Sequence, residues 1–303
     1  MDQVTSILPR NNNDRIDYTN APILYTDQYI SPSGPIGKYW GPSNKDNPNP
    51  GSHTIYVDNN AFMGSEPPWI CTLDNYDIYD KFPDWVEGTV FAYQKASKTA
   101  HEKRINDARV QNILKESVRV HEKSHIRQEI LYDTGFIHSM LDTVTSKKGE
   151  NTAEILSIRY IATKETISIL EQIDYLEQTE KLSGQEILAH IFATNIPFLL
   201  AFYDTSRIRL QKTLEEIYQA EIPNINGKRW EYCLALLMII TGDTDILEKL
   251  EKQQTTPEEV TKTFVSALSK YLETGGQLFR QDLLIRTHKS FAKVTKDISD
   301  AAR

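Results

Sequence analysis

The chain has 303 residues, of which 39% are hydrophobic and 25% charged, with a formal net charge of −8. That composition is long enough and apolar enough for a sizeable core, and it excludes collagenous, disulfide-rich and grossly disordered classes. The acidic balance argues against a general nucleic-acid or anionic-membrane binder, and no run of about 18 apolar residues predicts a spanning helix.

Ten of the thirteen prolines fall in residues 1–83, among many Asn, Asp, Gly and Tyr residues. Proline fixes φ and removes a backbone donor, so this stretch is not long helix. Its tyrosines and tryptophans are too frequent for a linker, so it reads as an irregular Pro/Tyr-rich arm or cap, or as a small edge sheet. Short extended runs are expected at 23–25, 28–30 and 54–57. The start carries no basic segment followed by an apolar one, and the two cysteines, Cys71 and Cys233, form no framework. A reducing, cytoplasmic location is therefore expected.

From residue 84 onward the pattern is helical, so 84–303 is predicted to be a helical body. Pro83 and Asp84 open a helix over 84–105, and a second runs over 107–132 to the Asp133-Thr134-Gly135 turn. A short helix is expected at 136–144. A long one follows at 152–182, with an apolar stripe of Ile155, Ile158, Ala162, Ile169, Ile173 and Leu176. Ser183 and Glu186 form a capping box that opens a helix, which Pro197 should kink or break. Helices over 198–218 and 228–241 come next; the second contains LALLMII and should be the most buried. A short one at 244–252 precedes a second start signal, Thr256-Pro257-Glu258-Glu259, whose helix should end at Gly275-Gly276. The last helix spans 278–301. The fold class is thus mainly α, a bundle of about seven to nine helices.

Residues 121–125 read His121-Glu122-Lys123-Ser124-His125, the HExxH string of zinc metallopeptidases. Spacing i and i+4 puts both imidazoles on one helix face, where they can bind one metal, and Glu122 then stands where a general base is needed. Helical phase strengthens the signal. Val110, Ile113, Leu114, Val118 and Val120 define an apolar stripe, and His121, Ser124, His125 and Gln128 continue it before Leu131 and Tyr132 resume it. Polar groups in a buried face need a metal, a ligand or one another. The competing reading is a pair of core histidines bonded to Ser, Gln or backbone.

A third ligand is needed. His138, just past the Gly135 turn, is one choice, and Glu154 on the next long helix is another. A downstream helical Glu resembles the gluzincin arrangement, but 84–132 leaves no room for the strands that zincins place before their HExxH helix, so no family is assigned. Glu122-x-x-His125 is also the unit of di-iron bundles, but a second such unit is missing. The expected cofactor is a divalent metal, zinc ahead of iron. His190, inside an apolar helix, is the residue type that ligates haem in an all-α pocket, although a core histidine is the simpler reading. Residues 95–127 carry nine Lys/Arg against four Asp/Glu, either a solvated helix face or an anion-binding stripe.

Two functions follow. One is a metal-dependent enzyme, hydrolytic with zinc or oxygen-using with iron. The other is a non-enzymatic helical assembly protein, viral- or phage-like, whose arm makes homo-oligomeric contacts and whose basic helices face a polyanion. Neither a membrane nor nucleic acid is the expected partner. P-loop, dinucleotide-binding and nucleophile-elbow motifs do not occur.

Overall fold

A computed structural model describes residues 22–26, 37–42, 45–57, 84–132, 134–192 and 229–303. Among them are nine α-helices and one three-stranded sheet, the mainly-α fold expected from the sequence. The expected extended run at 28–30 and helix at 198–218, with Pro197, lie outside the described residues.

Strands β1 (Ile23–Thr26), β2 (Gly37–Trp40) and β3 (His53–Val57) form a sheet of order β1-β3-β2. β3 is the middle strand, parallel to β1 and antiparallel to β2. The turn before β3 is held by Asn47, whose amide donates to the Gly41 and Ser52 carbonyls while its Oδ1 accepts from Asn49 N and Thr54 Oγ1. β2 lies in a stretch where the sequence showed only turns. Gly37 has no side chain to hold off the helix beneath, and Tyr39 anchors the strand by donating to Glu129.

The helices are α1 (Asp84–Asn106), α2 (Ala108–Tyr132), α3 (Thr134–Lys148), α4 (Glu150–Asp174), α5 (Gly184–Ile191), α6 (Arg229–Thr241), α7 (Ile246–Glu251), α8 (Pro257–Thr274) and α9 (Gln281–Ala302). The Ser183 capping box forms as expected at the start of α5, and the start signal at Thr256 opens α8, where it too closes as a capping box. α6 and α8 run out into Gly242 and Gly275, whose φ values of 71° and 62° suit glycine. The predicted helix over 152–182 ends sooner. α4 passes into a π-helical turn at Tyr175–Thr179, and Lys181 then takes a positive φ of 59°.

α4 is the central helix, packed by α2, α3, α6 and α9. Its residues from Glu165 to Leu170 are all buried, so it has no single wet face there. Its small polar residues are accommodated by bonding back one turn: Thr163 Oγ1 donates to Arg159 O, and Thr166 Oγ1 to Ala162 O. On one side of α4 the main core joins it to α1, α5, α6, α8 and α9. On the other, Tyr160 and Ile167 pack with Ile137 and Val144 of α3 and Phe291 and Val294 of α9. α2 sits between α4 and the sheet, where Val118 and Ile126 meet Ile55 and Val57. The apolar stripe of α2 does not extend to its end, since Leu131 is 62% exposed. No described helix is long and apolar enough to cross a membrane.

Candidate metal centre

His121 and His125 lie one turn apart on the buried face of α2, turned towards α4. Glu165 of α4 meets both. His121 Nε2 is 3.2 Å from His125 Nε2 and 3.2 Å from Glu165 Oε2, and His125 Nε2 is 3.3 Å from Glu165 Oε1. Donors held about 2.0 Å from a tetrahedral ion stand about 3.3 Å apart, and each imidazole Nε2 lies about that far from the other and from one of the two Glu165 oxygens. The three residues are 3%, 8% and 8% exposed, and they form a buried group that could hold a metal ion.

The surroundings bias His125 towards ligation. Its Nδ1 lies 3.2 Å from Ser168 Oγ, which also accepts from Gln128 Nε2 at 2.9 Å and reaches the Lys164 carbonyl. With the Ser168 proton on that carbonyl, His125 Nδ1–H donates to Ser168 and leaves the Nε2 lone pair facing Glu165. A metal-bound imidazole commonly uses its second nitrogen in this way. His121 lacks that support, because its buried Nδ1 has no partner. Its ring instead stacks on Tyr232 of α6, at 5.7 Å between centroids and 20° between planes, with the Tyr232 hydroxyl 3.3 Å from His121 Nε2.

Charge in the group is shared unequally. Burial opposes a charge on each residue. Glu165 outweighs that at His121, whose pKa is raised, whereas burial prevails at His125, whose pKa is lowered. For Glu165 itself, burial is outweighed by the two imidazoles, which hold its carboxyl well below the usual range. The two imidazoles thus favour an ionised Glu165, and a divalent cation would balance that charge in their place. Burial, then Glu165 and Glu122, push the Tyr232 phenol well up, so it stays protonated and can donate.

Glu122 is 7% exposed and sits under the start of β2, where a Cβ on Gly37 would come within 2.8 Å of its Oε1. Its carboxylate has no hydrogen bond or ion pair among the described residues, yet its charge reaches both His121 and Tyr232.

The other sequence-derived residues lie elsewhere. His138 is on the exposed side of α3, with its ring edge-on to Tyr160 at 5.9 Å. Glu154 is exposed in the first turns of α4. Neither joins the group; Glu165, three turns beyond Glu154, takes the third position. His190 lies apart on α5, near His101, Lys103 and Arg104. Glu165 was missed although a signal existed. The α4 stripe steps from Ala162 to Ile169 and leaves residue 165 as its interior slot, and a charged residue there is the same anomaly that marked α2.

Comparison with protein-family models, curated proteins and solved structures found no match.

Proposed function

We propose that the protein is a metal-dependent hydrolase in which zinc is held by His121, His125 and Glu165, with Glu122 as general base. What carries this reading is a buried pair of imidazole Nε2 atoms 3.2 Å apart, each within 3.3 Å of an oxygen of the Glu165 carboxylate. Two imidazoles and a carboxylate suit zinc and leave a position for water, whose pKa the ion lowers to about 7. We assign the general base to Glu122, which is buried, has no hydrogen bond or ion pair among the described residues, and bears a charge that acts on His121. The protonated Tyr232 hydroxyl is placed to donate to the oxygen that gains charge.

The test combines elemental analysis with variants. Purified or zinc-reconstituted protein should hold about one equivalent of zinc, lost in His121→Ala and Glu165→Ala. Glu122→Gln should keep the metal and lower hydrolysis of a fluorogenic peptide and ester panel by about 10²–10⁴-fold. Absence of zinc binding after reconstitution overturns the reading.

Burial of all three ligands favours a second reading, in which the metal is structural and the chain is an assembly protein acting through its arm. Chelation separates the two. Removal lowers Tm in both cases, but a catalytic ion takes activity from a protein that stays folded, whereas a structural one takes the fold and any oligomer with it.

A further inference from the structure

Four of the nine bases in the run on α1 and α2 are paired at the surface. Lys103 pairs with Glu186, Arg109 with Glu180, Arg119 with Glu116 and Arg127 with Glu171. Arg104 differs from the rest of the run by its burial. It is 3% exposed, no ion pair reaches it among the described residues, and its Nε has no hydrogen-bond partner. Its Nη2 meets His101 Nδ1 at 2.8 Å. A buried guanidinium without a counter-charge is rare, because losing water costs several kcal/mol per ion unless an anion or hydrogen bonds replace it.

A second unpartnered group lies on the neighbouring helix: α1 packs on α5, and Lys103, next to Arg104, pairs with Glu186 one turn before His190. His190, in the last turn of α5, has a buried Nε2 without a partner, and Arg104 is the strongest charge acting on its ring. Burial first and Arg104 second push the His190 pKa down to about 4, so the ring is neutral near pH 7 and can offer one N–H. Glu186 could have served as counter-ion, but Lys103 and the Ser183 backbone and hydroxyl already occupy it. His101 and His190 are only partly buried, so the two donors lie just beneath the surface.

We propose that the end of α1 and the last turn of α5 form a binding site for an oxyanion group, with Arg104 supplying the charge and Arg104 Nε–H and His190 Nε2–H as donors. One guanidinium balances one negative charge, so a carboxylate fits best, and a phosphate group offers the same acceptor chemistry. The site shares no residue with the metal group and does not depend on it.

The test is a titration of full-length protein labelled with ¹⁵N-histidine, using acetate and, separately, inorganic phosphate, at ionic strength held constant with chloride. The His190 Nε2 resonance, assigned by its loss in His190→Gln, should move saturably with acetate, with phosphate or with both; the pattern identifies the preferred anion. Arg104→Gln should weaken the response about tenfold or more, and Lys98→Gln, on the exposed face of α1, should leave it unchanged. Should Arg104→Gln fail to fold, the anion-dependent rise in wild-type Tm must vanish in His190→Gln. A His190 resonance that does not saturate with either anion, or an equal response in Arg104→Gln, overturns the proposal.

Discussion

At the scale of single residues, Ser168 is the most informative position around the metal group. It accepts from Gln128 and lies against His125 Nδ1, so it decides which ring nitrogen of His125 carries a lone pair. Ser168→Ala removes that support and none of the ligands. Metal affinity should fall about 10–100-fold with the helical circular dichroism unchanged, measured by competition with a chromogenic chelator. Unchanged affinity would mean that the Ser168 contact only fills space. Gln128 would remain partly satisfied in the variant through the Lys164 carbonyl, so the effect belongs to His125 rather than to a collapsed core.

At the scale of elements, β2 and α2 are coupled through a glycine. A Cβ on Gly37 would press on Val118 and come within 2.8 Å of Glu122 Oε1. Gly37→Ala should therefore push the Glu122 side chain aside and lower turnover at least about tenfold, while zinc content stays at one equivalent. A variant that loses zinc instead would show that the sheet supports α2 itself. Helix starts respond differently, because their effect is local. Thr256→Ala removes an N-cap bond to Glu259 N and should cost about 1 kcal/mol in denaturant unfolding, with no change in metal content. These elements also show what the sequence made legible. The caps at Ser183 and Thr256 and the pairing of His121 with His125 were readable because they rest on contacts within one turn or one helical phase. Strand β2 was not, since its pairing with β3 joins Gly37 to Val57 across twenty residues of turn-rich chain. Glu165 was overlooked for a related reason. A carboxylate on α4 reads as a ligand only once α2 is known to pack on α4, and that pairing is tertiary.

At the scale of the whole molecule, α4 must be held against helices on both sides for the three ligands to stay together. On the side away from α2, a charged cluster does this work between α4, α7 and α9. Arg159 of α4 meets Glu248 at 3.2 Å and Asp297 at 3.1 Å, and Glu248 also pairs with Lys252 and Lys293. Burial alone would raise the Glu248 carboxyl, but Lys252, Lys293 and Arg159 outweigh it and hold the pKa down to about 2. In the unfolded chain the same group titrates near about 4.3. A carboxyl depressed on folding stabilises the folded state fully above its unfolded pKa, and that contribution fades as pH falls towards the folded value. Glu248→Gln should therefore lower Tm at pH 7, where the charge is missed most. The gap between wild type and variant should narrow below about pH 4 and approach its minimum near pH 2. A gap that stays constant from pH 7 to pH 3 would mean that Glu248 acts through packing and neutral hydrogen bonds rather than through its charge. If the gap behaves as expected, zinc retention near pH 7 should also be weaker in Glu248→Gln, because loosening α4 on this side frees Glu165 on the other.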